Sequence, residues 1–151
     1  MLKNFDESAL LTTYARQNIS FVSGQNATLM DSEGREYIDF TSGIGVVSIG
    51  HGDNALSRAI CEQAGKLIHI SNLYQIEPQA KAAEMIVKAS GYDMACFFGN
   101  SGAEANEGAI KIARKYGEVD GRPKRYKIIT LEHSFHGRTI TTVNNGAGVD
   151  A

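Results

Sequence analysis

Met94-Ala95-Cys96-Phe97-Phe98-Gly99-Asn100-Ser101-Gly102-Ala103, continued by EANEGAIKIARKY over 104–116, is the stretch that decides the fold. Five apolar residues running straight into a glycine turn predict a buried strand over 94–98. From Ala103 onward the period changes. Ala105, Ala109, Ile112, Ala113 and Tyr116 fall on one helical stripe, so the spacing predicts a helix over 103–116. Glu104 and Glu107 lie in its first turns and Lys111, Arg114 and Lys115 near its end, the order that complements the helix dipole. Gly117 is the stop signal.

A loop with Gly121 and Pro123 comes next, and Lys127-Ile128-Ile129-Thr130-Leu131 predicts a second buried strand. Strand, helix and strand in this order predict a βαβ unit with a right-handed crossover and an α/β fold. In a parallel unit the carboxyl ends of both strands open on one edge of the sheet, where ligands bind in α/β folds. That edge would receive Gly99-Asn100-Ser101-Gly102-Ala103 from the first strand and His133-Ser134-Phe135-His136-Gly137-Arg138-Thr139 from the second.

The first segment has the parts of a phosphate cradle. Its glycines permit close backbone approach, the next helix presents unpaired N–H groups, and Ser101 adds a hydroxyl. It is neither a Walker loop nor a GxGxxG fingerprint, and the same turn also serves as a plain helix cap. In the second segment Phe135 offers a ring to stack on a planar ligand and Arg138 a fork for a carboxylate. The alternative is a core Phe and a surface Arg.

Upstream, residues 27–31 and 35–40 flank Ser32-Glu33-Gly34 and predict a hairpin. Thr41 to Val47 is too rich in glycine for a helix and too apolar for an exposed loop, which predicts a segment lying against something buried. Asp53 or Asn54 caps a predicted helix whose inward stripe is Leu56, Ile60, Ala64 and Leu67. Ser71-Asn72-Leu73-Tyr74 breaks the pattern, and Pro78 fits the first turn of a further helix near 78–90.

Composition excludes other classes. With 15 Lys+Arg against 17 Asp+Glu, a net charge of -2 and a pI near 6.1, the chain is not built to bind nucleic acid through bulk charge. The basic 111–127 segment is interrupted by Glu118 and Asp120 and reads as a solvated helix end and loop. Two cysteines, Cys61 and Cys96, expected in the core, make no disulfide framework and point to a reducing cytoplasm. The start, MLKNFDES, lacks the apolar run of a secretory signal, and no apolar stretch is long enough to span a membrane. His133 and His136 alone, with no nearby carboxylate or Cys cluster, make a poor metal site. The length of 151 residues suits one globular domain with a core.

Read together, FFGNSGAEANEGAIKIARKY (97–116) and HSFHGRT (133–139) resemble the class III, fold type I aminotransferases that use pyridoxal 5'-phosphate (PLP). YIDFTSGIGV (37–46), Gly50-His51 and SNLY (71–74) match in the family's order. Within the family the combination is most similar to the acetylornithine branch.

The resemblance implies transamination of N2-acetyl-L-ornithine with 2-oxoglutarate in arginine biosynthesis, by a cytoplasmic homodimer. Ornithine, succinylornithine and 4-aminobutyrate enzymes share the scaffold and stay as alternatives, as does a non-catalytic phosphate-binding module. The resemblance implies that Ser101, Gly102 and Ala103 hold the PLP phosphate, that Phe135 stacks on the pyridine ring with His136 beside it, and that Arg138 clamps the substrate α-carboxylate. Ile44–Val46 and Asn72–Tyr74 would lie near the active site or the dimer interface.

Three departures qualify the match. The chain has Gly50-His51-Gly52-Asp53-Asn54 where relatives carry GHxHP, the tail 144–151 gives no secondary-structure signal, and the chain stops soon after Arg138 although the family's enzymes are much longer. Ala103, where many relatives carry Thr or Val, is a tolerable variation. The family's size implies that residues 1–59 are an N-terminal part of the small domain and that 60–151 open the large PLP-binding domain. The Schiff-base Lys and the Asp that pairs with the pyridine nitrogen would then fall beyond residue 151. None of the eight Lys present matches that position, so the chain is expected to be inactive alone, with strand edges and apolar surface exposed.

Overall fold

The computed structural model describes residues 8–118 and 125–143. The loop with Gly121 and Pro123 and the tail 144–151 lie outside the described residues. Compactness divides the chain into two units, Met1–Tyr74 and Gln75–Ala151.

The first unit is built on a three-stranded antiparallel sheet in the order β1 (Phe21–Gln25), β2 (Thr28–Asp31), β3 (Glu36–Ile38). The β2–β3 hairpin is the one the sequence predicts, whereas β1 is an addition that no hydrophobic alternation announced. Its register is Gly24 against Leu29 and Gln25 against Thr28, with an irregularity between Phe21 and Ser23. The turn is organised by Asp31, whose exposure is only 2%. Its carboxylate accepts from the backbone N–H of Glu33 and of Arg35, both at 2.9 Å, from Arg35 Nε at 2.7 Å and from the Tyr37 hydroxyl at 3.0 Å. Gly34 supplies the left-handed φ of 80° that the turn requires.

A second carboxylate, Asp39, organises the chain just beyond the sheet. It accepts from the Thr41 and Ser42 N–H groups at 2.9 and 2.8 Å, from the Thr41 hydroxyl at 2.9 Å and from His51 Nε2 at 2.7 Å. The His51 hydrogen bond, ahead of those from Thr41 and Ser42, holds the Asp39 carboxyl well below the usual carboxylate range. The backbone then makes one left-handed turn, α1 (Ser42–Gly45), with φ of 48°, 63°, 63° and 75° at its four residues. A left-handed φ at β-branched Ile44 is a strained conformation. The segment does not lie against something buried, as its apolar content suggested. Ile44 is 94% and Val46 76% exposed. The chain returns to the sheet through a paired Asn26–His51 bridge, and Gly50 passes so close to Asn26 that a β-carbon would meet its Cα at 2.9 Å. Asp53 caps α2 (Asn54–Lys66) by accepting from Leu56 N–H at 2.7 Å.

In the second unit α3 (Glu77–Ser90) begins with Pro78 in its first turn and ends at left-handed Gly91. Next come α4 (Gly102–Tyr116) and the short α5 (Ile140–Val143). The predicted strands over 94–98 and 127–131 do not form. Both segments are present without ladder partners among the described residues, because a strand exists only through a neighbour's hydrogen bonds. The 94–98 segment nevertheless packs on α4, where a β-carbon on Gly108 would meet the Phe97 ring at 2.8 Å. Gly117 ends α4 for a different reason than a left-handed cap. Its φ is -67°, and a β-carbon there would collide with the Arg125 carbonyl oxygen.

The expected core is also absent. Among the described residues no apolar side chain is fully buried, and the two buried side chains are polar, Asp31 and Thr142. Leu56 and Ile60 on α2, Leu67 just after it, and Ile112 and Tyr116 on α4 form their stripes but face solvent. Cys61, expected in the core, is exposed, and Cys96 is half-buried. No helix among the described residues is long and apolar enough to cross a membrane.

Burial acts to raise the Asp31 pKa, but the hydrogen bonds from Arg35, Glu33 and Tyr37 outweigh it and lower it from 3.8 to about 2. A carboxylate that is more acidic folded than unfolded stabilises the fold above 3.8 and loses that contribution as pH falls to about 2. Carbon-13 NMR of the Asp31 carboxyl is expected to give a midpoint near 2, and a midpoint at 3.8 or above would contradict the network.

Candidate functional site

The two chemically loaded segments of the sequence meet in the second unit. Ser101 has extended backbone and caps α4, its hydroxyl oxygen accepting from Glu104 N–H at 3.2 Å. The capping reading of this turn therefore holds, and it leaves the Ser101 hydroxyl proton available to a ligand. The next two amides, Gly102 and Ala103, belong to the first turn and have no acceptor within the helix. Asn100 N–H is engaged by Glu104 Oε2 at 2.5 Å. A β-carbon on Gly102 would meet nothing within 4 Å, so the space on that side of its Cα is open.

The 133–139 segment is laid directly on this helix. Gly137 approaches so closely that a β-carbon on it would lie 2.5 Å from the Ala103 Cβ, 2.8 Å from the Ala103 Cα and 2.9 Å from Thr142 Oγ1. Its φ of 126° is itself one that side chains rarely adopt. On either side of this contact a hydrogen bond ties the segment to α4. Asn106 Nδ2 donates to the His136 carbonyl at 2.7 Å, and the Thr139 hydroxyl donates to Glu107 Oε1 at 2.6 Å.

The Thr139 hydroxyl, ahead of that of Thr141 and the charges of Lys111 and Arg114, keeps the Glu107 carboxyl ionised, lowering its pKa against the opposing effect of burial. Thr139 has a single hydroxyl proton and gives it to a carboxylate that has none. The Thr139 and Thr142 hydroxyls lie 2.7 Å apart, and Thr142 Oγ1 also donates to the Thr139 carbonyl at 3.3 Å. Thr142, 1% exposed, also accepts from Thr139 N–H at 2.9 Å.

The residues singled out by sequence are thus brought together at the backbone level. Ala103 contacts Gly137, which stands between His136 and Arg138. Phe135 is 69% exposed and so is not the core Phe of the alternative reading, whereas Arg138 is exposed, as the alternative has it. His136 Nε2 is buried and has no hydrogen-bond partner among the described residues. A buried ring nitrogen without a partner suits a polar ligand.

Sequence reasoning missed Asn106, Glu107, Thr139 and Thr142. The signal was present for the first two: Ala103, Asn106, Glu107 and Ile110 share one face at i, i+3, i+4 and i+7, and two polar residues interrupt it. Their partners lie 30 and 32 residues away, and no local pattern names those.

Replacing Gly137 by Ala is expected to destabilise the protein by about 1–3 kcal/mol through overpacking and the strained φ. Adding Ala103→Gly should recover only part of the loss, since the backbone strain remains. Thermal unfolding of the two variants measures this, and an unchanged midpoint in Gly137→Ala would contradict the contact.

The family model for aminotransferase class III matches residues 12–149. The chain is 66% identical over 139 residues to the acetylornithine aminotransferase of Wolinella succinogenes, covering 91% of this chain and 35% of that protein. It is 52% identical over 136 residues to that of Caldanaerobacter subterraneus, covering 90% and 34%. The crystal structure of N-acetylornithine aminotransferase from Stenotrophomonas maltophilia superposes with a TM-score of 0.74 at 46% identity, over 82% of this chain and 34% of that one. Ornithine aminotransferase from Toxoplasma gondii gives 0.84 at 31% identity, over 93% and 34%. The chain therefore spans about a third of the length of the curated relatives it matches. Its fold, mixed helix and sheet, is the corresponding part of fold type I. By sequence and by structure alike, the chain belongs to the class III aminotransferase family.

Proposed function

We propose that this chain is the cofactor- and substrate-gripping portion of an acetylornithine aminotransferase that exchanges the amino group of N2-acetyl-L-ornithine with 2-oxoglutarate, in arginine biosynthesis. The observation that carries the reading is the Ala103–Gly137 contact, which lays the HSFHGRT segment on the helix that starts at the Ser101 cap. The identity to acetylornithine aminotransferases from two organisms supports the choice of substrate.

The residues fit PLP. In the proposal the Ser101 hydroxyl and the Gly102 and Ala103 amides hold its phosphate, where the helix dipole favours an anion. Phe135 stacks on its ring. The orphaned His136 Nε2 supplies a polar contact beside it. Arg138 takes the α-carboxylate of the amino acid through a bidentate fork. When bound, PLP supplies the electron sink for transamination. The part of this chain is to bind and orient: a phosphate fixed at one end and a carboxylate fixed at the other leave the substrate's α-carbon in one position.

Residues 1–59 belong in this reading to the small domain and 60–151 to the opening of the PLP-binding domain, in a cytoplasmic homodimer. The strained turn at Ile44 supports placing the Ile44–Val46 stretch, with Asn72–Tyr74, near the active site or the dimer interface. The proton-moving Lys of this chemistry has no counterpart among the eight Lys of the chain, which is proposed to be inactive alone.

The test is a transaminase assay on the complete gene product. Arg138→Ala is expected to raise KM for acetylornithine by about tenfold or more, the worth of a charge-assisted bidentate pair, without changing KM for an amine that lacks a carboxylate. An equal effect on both donors would contradict the assigned role. Turnover by the 151 residues alone would contradict their inactivity.

A further inference from the structure

We propose that Asn106 and Glu107 are positioning residues that brace the 136–139 segment from the cradle helix, Asn106 setting Phe135 and His136, and Glu107, through Thr139, setting Arg138. The inference rests on the proposed aminotransferase function. It assigns work to side chains that touch neither cofactor nor substrate.

The segment carries the ring stack and the carboxylate clamp, yet it is neither strand nor helix. Its own regular hydrogen bonds therefore cannot fix it. Two adjacent residues of α4 reach it at its two ends, at 2.7 Å on the His136 carbonyl and 2.6 Å on the Thr139 hydroxyl. Between them Gly137 is wedged against Ala103, the proposed phosphate residue. Three points of attachment to one rigid helix fix both the distance and the rotation of the segment. Phe135 and Arg138 are both exposed, so burial does not fix their place. The bond to Glu107 is made to an ionised carboxylate, the stronger class of hydrogen bond, and the buried Thr142 hydroxyl lies 2.7 Å from the Thr139 hydroxyl that makes it.

The two ends make separable demands. Thr139→Val keeps the shape and deletes the hydroxyl. In the complete, PLP-loaded gene product it is expected to raise KM for acetylornithine and for 2-oxoglutarate by about tenfold. The same variant should leave PLP affinity within about twofold and KM for an amine lacking a carboxylate unchanged. Thr139→Ser, which retains the hydroxyl, should restore KM. Asn106→Ala should do the reverse, weakening PLP binding by about tenfold with a smaller effect on KM. If Thr139→Val does not fold, Glu107→Gln carries the test, because its amide oxygen still accepts from Thr139 without the charge. It is expected to raise KM about threefold.

A Thr139→Val enzyme with unchanged KM overturns the brace, as does one that loses PLP affinity and KM for both donor types together. Both results leave wild-type activity intact, so the function reading stands. A wild-type product that neither binds PLP nor transaminates removes the function reading and the brace with it.

Discussion

The absence of a side chain at Gly137 is the constraint on which the site depends. A β-carbon there would need to occupy the space of the Ala103 Cβ, 2.5 Å away. Only a glycine lets a non-repetitive segment lie flat on the first turn of a helix. Once it does, the neighbours of Gly137 have little choice of place. His136 presents its carbonyl to Asn106 and Thr139 its hydroxyl to Glu107. The start of α4 and the 136–139 segment, joined by bonds between residues 30 and 32 positions apart, are brought together as a result.

Polar contacts, more than apolar burial, hold the described residues in place. Asp31 knots the hairpin turn, Asp39 anchors the left-handed turn to His51, and Thr142 anchors the residues just after Arg138. Each of these is a carboxylate or hydroxyl satisfied by backbone N–H groups within a few residues, the kind of contact that does not require a second layer. Sheets and amphipathic helices do require one. Their stripes are present here and uncovered, as Ile60 and Ile112 show. Local order and tertiary burial are thus separated in this chain more clearly than in a closed domain.

That separation explains how much was legible in the sequence. Helices α2, α3 and α4 were readable because Asp53, Pro78 and Ser101 mark their starts, and α2 and α4 each carry a 3.6-residue stripe. The hairpin was readable because Ser32-Glu33-Gly34 is turn chemistry between two half-apolar runs. Three features were not. The 94–98 and 127–131 runs have strand composition, but pairing depends on partners that the local pattern does not contain. Thr41 to Val47 looked buried because it is apolar, when its start is set by Asp39 and Ile44 and Val46 are exposed. The brace between α4 and Thr139 was hidden by sequence distance, since a Glu in the first turns of a helix is already explained by the dipole. At the site, Ser101 to Ala103 and Phe135 to Arg138 were legible as motifs. Their mutual placement became visible only through Gly137.

The central claim is that the Ser101 helix start and the Gly137 segment form one PLP-binding unit. A crystal structure of the complete gene product loaded with PLP tests it most directly. The account expects the phosphate on the Gly102 and Ala103 amides and the Ser101 hydroxyl, with the pyridine ring against Phe135. A phosphate bound elsewhere, or a ring that does not touch Phe135, would contradict it.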